Sequence, residues 1–430
     1  MKNRNKRVVT VIAVAGLVFA SNLIYGKDSD TKGTFKEDVK FLQEHTEIIL
    51  LKDGSSAVAV APAYQGRVMT SSFDAENGDG FGWINRKVVE AGLLTPEQRR
   101  GKLENHIYVF GGEERFWMGP EGGQFAIFFK PGAKFDFDNW FTPPCIDVAG
   151  FDVVSRNEKE VKFTYRANLQ NWTGTKFTVG ISRIVSLLDV GKVKKTFGIE
   201  LSDKIRMVAY ETDNRIKNMG DTPWTKETGL LSIWILGMYP PSKGTTLVIP
   251  FKKGDEKDIG SKVNDSYFGK VPGDYLKVGE NALFFKGDGT RRGKIGIGPK
   301  RSLGIAGSYD SENQTLNLVT YNVQAAPNGY VNSMWEMQKD PFSGDVLNAY
   351  NDGAPTPGAA PLGPFYEIET SSPAAALKPG EEMVHVMRTL HIQGSESELD
   401  AIARASLGVG LKEIKDAFTN NQENGKRRNK

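Results

Sequence analysis

The sequence predicts a mainly β protein in which strands form one large antiparallel sandwich, with short helices near the two ends. Short apolar or alternating runs follow one another along the chain, separated by turn residues, as is typical of antiparallel strands. The 430 residues include 47 glycines and 20 prolines, and this abundance of turn formers favours β architecture over a helix bundle. The hydrophobic fraction of 39% is enough for a large core.

The N-terminal segment, residues 1–26, has the pattern of a secretory signal peptide. Four lysines and arginines among the first seven residues precede an apolar run from Val8 to Ala20, and Ala20 and Gly26 are candidate cleavage sites. A single membrane anchor is the alternative, although the apolar run is short for a membrane span. The pattern predicts a periplasmic or secreted protein with no stable membrane insertion after cleavage.

The two ends of the chain distort its apparent charge. The formal net charge is +3, and removal of residues 1–26 takes it to −1 because four cations and no anions are lost. Four more cations lie in residues 421–430, so the rest of the chain is mildly acidic and no nucleic-acid partner is expected. The single cysteine, Cys145, excludes an intramolecular disulfide.

Between these ends, the pattern predicts one domain over residues 35–420. It follows a disordered linker (27–34) and precedes a disordered basic tail (421–430). "FKEDVKFLQEH" (35–45) predicts an opening helix, and runs such as "NHIYVFGG", "QFAIFFKPG" and "VKKTFGIEL" predict strands. "LDAIARASLGVGLKEIKDAF" predicts two helices interrupted around Gly408 and Gly410, which we expect to cover a sheet edge.

Familiar cofactor and catalytic motifs are missing from the sequence. It contains no P-loop, no G-x-G-x-x-G after a strand, and no H-E-x-x-H, C-x-x-C or G-x-S-x-G. With four histidines and one cysteine, neither a metal nor another cofactor is expected. His385 and His391 share one face of a predicted strand, but about 20 Å separates them, so they cannot hold one ion together without a bend.

The segment "GGEERFWMGPEGG" (111–123) is predicted to be a loop between two strands. Its Glu113, Arg115, Trp117 and Glu121 are candidate sugar-binding residues. Carboxylates and guanidinium groups bind sugar hydroxyls through charge-assisted hydrogen bonds, and an indole packs against the apolar side of a pyranose. A surface loop with solvated ion pairs and a core tryptophan is an equally consistent interpretation.

Two further segments carry polar side chains that fit a ligand or a plain turn. In "DVLNAYNDG" (345–353), Asn351 and Asp352 are either ligand contacts or turn-forming residues. In "GTRRGKIGIGPKR" (289–301), the cations either meet an acidic sugar or belong to a solvated hairpin tip; they are Arg291, Arg292, Lys294 and Arg301.

A predicted strand at residues 365–370 carries the two candidate catalytic residues, Glu367 and Glu369. Glutamate is depleted in strands, and side chains two residues apart point to the same face, here with Cα atoms about 7 Å apart. Such a carboxylate pair can perform acid–base chemistry at an anomeric or glycosidic centre. On a solvent-facing strand the same pair would have no special meaning.

Three stretches resemble aldose 1-epimerases of the galactose mutarotase-like superfamily. "TEIILLKDGSSAVAVAPAYQGRVMTSSF" resembles their opening strands, and "VAYETDNRIKNMGDTPW" resembles a mid-chain strand and turn. "FYEIETSSPAAALKPGEE" is similar to their closing strand, L-E-T-Q, and its L-x-P-G-E turn. "GGEERFWMGPEGGQF", "NAYNDG" and "YEIETSSPAAALKPGE" more closely resemble a family of exported bacterial proteins of unknown function in that superfamily.

The resemblance implies a β-supersandwich that binds a mono- or oligosaccharide on a concave sheet face. It also implies that Glu369, at the position of the epimerase glutamate, is the general base. Epimerases use a mid-chain histidine as the acid, whereas no histidine occurs here between His106 and His385, and Ser371 replaces the family glutamine. His106 or His385 could take over only if the fold brings one of them close to Glu369.

Three classes of function are therefore left open by the sequence. They are an epimerase-like isomerase, a non-catalytic sugar-binding module, and a glycoside hydrolase or lyase that uses a carboxylate pair.

Overall fold

The computed structural model of the chain describes residues 33–99, 104, 106–356 and 358–419. The predicted signal peptide, linker residues 27–32 and the basic tail lie outside these residues. Thr34, which the sequence placed in the linker, belongs to the fold because its side chain caps the first helix and accepts a hydrogen bond from the backbone of Glu37. None of the helices in the described ranges is long and apolar enough to cross a membrane.

The opening helix and the two C-terminal helices that the sequence predicts are confirmed. Gly408 ends the first C-terminal helix at φ +71°, a left-handed conformation that glycine adopts without strain. The helices of the described residues are α1 (Phe35–His45), α2 (Arg86–Ala91), α3 (Pro96–Arg99), α4 (Val190–Phe197), α5 (Glu256–Ile259), α6 (Glu396–Leu407) and α7 (Leu411–Asp416).

The described strands form two antiparallel sheets, which confirms the mainly β class. The strands are β1 (Ile49–Asp53), β2 (Ser56–Ala61), β3 (Arg67–Ser72), β4 (Glu114–Gly119), β5 (Asp152–Arg156), β6 (Glu160–Gln170), β7 (Lys176–Leu187), β8 (Arg206–Asn218), β9 (Ser232–Tyr239), β10 (Thr245–Pro250), β11 (Leu276–Val278), β12 (Ala282–Lys286), β13 (Gly293–Ile297), β14 (Ile305–Asp310), β15 (Thr315–Tyr321), β16 (Leu347–Asn351), β17 (Tyr366–Ser371) and β18 (Glu382–Gln393). An eight-stranded sheet has the order β1-β2-β3-β4-β9-β17-β16-β13, and a ten-stranded sheet has the order β11-β12-β10-β14-β15-β18-β8-β7-β6-β5.

The main core lies between the two sheets. The contacts of β17 show which face of the eight-stranded sheet points toward this core. Tyr366 shares a hydrogen bond with Ser308 of β14 across the core, at 2.8 Å. Thr370 shares one with His385 of β18, also at 2.8 Å. Because side chains alternate along a strand, Glu367 and Glu369 lie on the other, outer face of the eight-stranded sheet.

A second core covers the outer face of the ten-stranded sheet. Leu399 and Leu407 of α6, with Leu411 of α7, are buried against apolar side chains of β10, β14, β15 and β18. The expectation that these helices cover a sheet edge was wrong, because their apolar sides pack on the face of the sheet.

Three local predictions were also wrong. "VKKTFGIEL" falls largely in helix α4, because Asp189 caps its start and Val193 and Phe197 bury one helical face. Residues 105–112 and 124–132 form irregular structure where they are described, instead of strands. The predicted loop around "EERFWMG" is strand β4, whose ionic residues are compatible with burial because each has a charged partner.

Candidate functional site

Glu369 lies on the outer face of the eight-stranded sheet, where β17 is flanked by β9 and β16. Its Oε2 accepts a hydrogen bond from Trp234 Nε1 at 2.9 Å and another from Lys294 Nζ at 2.8 Å. The Lys294 ammonium also lies 4.8 Å from the centre of the Trp234 ring. Glu369 is only 1% exposed, so its negative charge is stabilised by these two side chains and not by water.

Lys294 is a buried cation surrounded by acidic groups. It is 8% exposed and projects from β13, an edge strand of the sheet. Burial alone lowers its pKa, but the carboxylates of Glu369 and Glu121 outweigh this effect and raise the pKa of Lys294. The side chain is therefore a positively charged hydrogen-bond donor at neutral pH.

Glu367 forms a second buried ion pair on the same face. Its Oε1 lies 2.6 Å from Arg115 Nη2, and both side chains are less than 10% exposed. The Arg115 guanidinium in turn lies 4.9 Å from the centre of the Trp117 ring. Burial raises the pKa of Glu367 despite this arginine.

A cleft opens over this face, beside the Lys294 ammonium. It is narrow, with about 20 Å³ of water-accessible space, and it opens to solvent. The lining residues combine charged, amide, hydroxyl and aromatic groups: Gly119, Ser232, Trp234, Tyr267, Lys294, Val331, Ser333, Asp345, Asn348 and Ser371. The carboxylate of Glu369 lies beneath this lining, behind Lys294 and Trp234.

Asp345 provides a carboxylate at the cleft wall. Its Oδ2 accepts hydrogen bonds from the Tyr267 hydroxyl at 2.7 Å and from the Asn264 amide at 3.0 Å. Burial raises the pKa of Asp345, although these two bonds oppose the rise. Lys294 and Asp345 thus place a cation and a carboxylate around one small volume.

Glu121 follows β4 and lies close enough to Lys294 and Glu369 to interact with both charges. Burial raises the pKa of Glu121 to about 7, with Lys294 opposing the rise and Glu369 adding to it. A carboxyl group with this pKa can give or take a proton at neutral pH, which is unusual for glutamate.

We expect Glu121→Gln to flatten the pH dependence of stability. The folded protein holds the Glu121 proton up to about pH 7, whereas the unfolded chain releases it near 4.5, so this group makes stability fall as the pH rises through that window. The urea midpoint of the variant should therefore decline less between pH 5 and 8 than that of the wild type. Glu90→Gln, at an exposed position on α2, should keep the wild-type slope, and an unchanged slope in Glu121→Gln would contradict the assignment.

Several of the sequence-predicted residues lie away from the cleft. Glu113 is fully buried and bonded to Ser71 Oγ and His391 Nε2, each at 2.8 Å. His385 is also fully buried, faces the core, and has a pKa lowered to about 3 by burial. A ligand in the cleft cannot reach Glu113 or His385 without opening the core.

His106, Asn351 and Asp352 have structural partners instead. His106 Nδ1 lies 2.6 Å from the backbone oxygen of Trp140 and its ring packs between aromatic rings. Asn351 braces the 288–291 turn, and Asp352 accepts hydrogen bonds from the Tyr350 hydroxyl and the backbone of Gly363. For Asn351 and Asp352, these contacts correspond to the turn-forming interpretation.

The sequence reasoning missed most of the cleft lining. Trp234, Tyr267, Asp345 and Asn348 carried no prediction, and Lys294 was predicted with its neighbouring arginines either to meet an acidic sugar or to belong to a solvated hairpin tip. A usable signal existed in "LNAYN", where Asn348 and Tyr350 alternate with apolar residues and so mark a polar face on a buried strand. Within the described residues, no group of three or more His, Cys, Asp or Glu side chains is arranged to hold a metal ion.

Comparisons with solved structures find proteins of low sequence identity. A candidate aldose 1-epimerase from Escherichia coli K12 has 12% identity and a TM-score of 0.46, with 81% of this chain and 99% of that chain covered. The protein Slr1438 from Synechocystis sp. PCC 6803 has 11% identity and a TM-score of 0.46, with coverage of 81% and 96%. A galactose mutarotase-like protein from Lactobacillus casei ATCC 334 has 11% identity and a TM-score of 0.45, with coverage of 81% and 100%.

These matches include the mutarotase-like proteins that the sequence resembles, and they say nothing about activity. No curated protein matches the sequence. The model of the family of unknown function DUF6786 matches residues 33–418, and the chain belongs to this family.

Proposed function

We propose that the protein binds a carbohydrate in the cleft over the outer face of the eight-stranded sheet. The observation that carries this proposal is the meeting of Lys294, Asp345, Asn348 and Trp234 around one cleft. An ammonium donates to sugar hydroxyls, a carboxylate accepts from them, and an amide does both. An indole beside them can pack against the apolar face of a pyranose, so the set suits a polyhydroxylated ring.

Asp345→Asn tests this proposal. The substitution keeps the size of the side chain and an oxygen for Tyr267, but it removes the negative charge that strengthens hydrogen bonds from sugar hydroxyls. Because hydrogen bonds to charged groups contribute about 1.5–3 kcal/mol, we expect affinity for a bound sugar to fall at least about tenfold. The measurement is ligand-dependent thermal stabilisation across a panel of aldoses and oligosaccharides.

The matched control for this experiment is Asp340→Asn. Asp340 is an exposed aspartate in the same loop, and its Oδ1 accepts a hydrogen bond from the backbone of Phe342. This variant should bind as the wild type does. If no sugar of the panel stabilises the wild type, or if both variants bind equally well, the cleft is not a carbohydrate site.

An isomerase acting at the anomeric centre is the second candidate, favoured by the Glu121 pKa of about 7 beside Glu369. In such a reaction Glu369 would take the proton of the anomeric hydroxyl while an acid protonates the ring oxygen, so that the ring opens and recloses with either configuration. Lys294, 2.8 Å from Glu369, and Glu121 are the nearby acids. Since Glu369 is 1% exposed, the sugar reaches it only if Lys294 or the Tyr267 loop moves.

Polarimetry of a freshly dissolved α-aldose separates the catalytic and non-catalytic alternatives. Accelerated anomerisation that Glu369→Gln abolishes would assign the isomerase activity. Release of reducing ends from oligosaccharides would assign hydrolysis instead, and sugar-dependent stabilisation without turnover would leave a binding module.

We further propose that the protein acts outside the cytoplasm, on the strength of the signal-peptide pattern in residues 1–26. Expression of the full-length chain should then yield a processed form whose N-terminus lies close to Ala20 or Gly26. Recovery of only the unprocessed chain from cells would contradict export by cleavage.

A further inference from the structure

We propose that a groove beside the cleft binds an acidic group of the saccharide, a carboxylate or a sulfate ester, through Arg291 and Arg292. We name it the arginine groove; it has about 40 Å³ of water-accessible space and opens to solvent. Its wall also includes Phe268, Lys270 and Tyr275. The inference rests on the proposed sugar binding for the nature of the molecule that carries the acidic group.

Aromatic rings hold both guanidinium groups in place. The Arg292 Cζ atom lies 4.0 Å from the centre of the Phe268 ring, and the Arg291 Cζ atom lies 5.6 Å from the centre of the Tyr275 ring. Stacking on a ring face leaves the edge of a guanidinium free to donate, and that edge matches the two oxygens of a carboxylate or sulfate. Phe268 is 47% exposed, so the stack is open to an arriving ligand.

Lys270 in the groove wall pairs with Asp265 at 2.8 Å, and Asp352 interacts with the charge of Arg292 from further away, but neither arginine forms an ion pair with the described residues. No carboxylate among them lies within 4 Å of either arginine, whereas the buried cations of the site, Lys294 and Arg115, each have a glutamate. The nearby Asp288 uses its Oδ1 to accept hydrogen bonds from Thr290. Two adjacent guanidinium groups that are not engaged in an ion pair are a suitable site for an external anion.

The arginine groove and the cleft are lined by neighbouring residues of the same chain segments. Arg292 and Lys294 are two residues apart along one chain segment, which separates their Cα atoms by about 7 Å. Tyr267 lines the cleft, and its neighbour Phe268 lines the groove. One saccharide chain can therefore place a ring in the cleft and an acidic neighbouring ring in the groove.

The experiment titrates the full-length chain with matched trisaccharides by calorimetry. The probes are a galacturonate trisaccharide, its carboxyl-reduced galactose counterpart of the same linkage, and a sulfated form of the latter. We expect at least one of the two acidic probes to bind about tenfold more tightly than the neutral one, with an advantage that shrinks at high salt. Comparison of the uronate with the sulfate identifies which acidic group the groove prefers.

The double variant Arg291→Ala/Arg292→Ala should lose that preference and retain the affinity for the neutral probe. Arg291→Lys/Arg292→Lys keeps the positive charges but not the planar guanidinium groups, so this variant should lose only part of the preference for acidic probes. Arg166→Ala removes an exposed arginine of β6 and should behave as the wild type. Unchanged urea midpoints show that the variants are folded.

The possible results distinguish this inference from the proposed function. If the neutral probe binds and the acidic probes bind no better, the arginine groove is refuted while the cleft stands. If acidic binding depends on the arginines but not on Asp345, the anion site stands and cleft binding fails. If no probe binds the wild type, or if the double variant keeps the acidic preference, the inference is overturned.

Discussion

Replacing Arg183 by methionine is expected to lower the free energy of unfolding by about 3–5 kcal/mol. Arg183 projects from β7 of the ten-stranded sheet and pairs with Glu114 of β4 in the eight-stranded sheet, at 2.8 Å and with both side chains fully buried. The same guanidinium donates to the backbone oxygen of Gly66 at 3.0 Å. Removing it leaves an uncompensated carboxylate in the core, and this penalty dominates the loss.

The loss in Arg183→Met should be smaller at pH 5 than at pH 8. Burial already raises the pKa of Glu114, and Arg183 opposes this rise, so the variant raises it further. At low pH, Glu114 of the variant is protonated and carries no unpaired charge. As the pH rises, keeping this proton in the folded state becomes unfavourable, so the variant loses more stability. Urea denaturation at the two pH values measures the difference.

Two further variants separate the buried charge from general damage to packing. Arg183→Met/Glu114→Gln removes both charges and should recover a large part of the stability. Arg404→Met breaks the exposed pair with Asp400 on α6 and should cost no more than about 1 kcal/mol. A loss below about 1 kcal/mol in Arg183→Met at pH 8 would show that the inter-sheet pair is not a structural element.

Lys294→Met should produce the largest effect at the candidate site. The substitution keeps an apolar side chain of similar length but removes the cation that faces Glu369, so we expect about 3–5 kcal/mol of destabilisation from the unpaired carboxylate. It also removes the ammonium at the cleft, so sugar binding should fall below detection. Calorimetry with the best sugar and urea denaturation of the same preparation measure the two effects.

A double-mutant cycle with Glu369→Gln isolates the pair energy. Lys294→Met/Glu369→Gln should be more stable than Lys294→Met because no buried charge remains unpaired. Lys226→Met is a matched control, since Lys226 also lies over a ring, Phe342 at 5.5 Å, but forms no ion pair within the described residues. It should lose little stability and no binding, and wild-type sugar affinity in Lys294→Met would remove Lys294 from the site.

Local sequence patterns were sufficient for the elements whose own residues decide their conformation. Helical spacing of apolar residues predicted α1, α6 and α7, and the alternation in "YEIET" placed Glu367 and Glu369 on one face of a strand. Such patterns depend on neighbours within one or two turns, which the sequence displays directly. The same alternation predicts a shared face without indicating whether that face is exposed or covered.

Predictions failed where a partner distant in the sequence lowers the free-energy cost of burying a charged residue. The charged residues of "EERFWMG" suggest a loop, but this segment forms β4, an inner strand of the sheet. Its burial is possible because Arg183 neutralises Glu114 and Glu367 neutralises Arg115. These partners come from β7 and β17, so no local window contains them. The charges cease to be a barrier to burial only after the sheets have assembled.

The sequence by itself determined the mainly β class, the terminal helices and the two glutamates on one face of β17. Only the tertiary structure decided what surrounds Glu369: Lys294 comes from 75 residues away and Trp234 from 135. Strand order decides these contacts, because β9 and β13 lie close to β17 in the sheet although both are distant from it in the chain. The physical reason is that alternation along a strand sets the face on which a side chain lies, whereas pairing between distant strands sets the chemical groups that it meets.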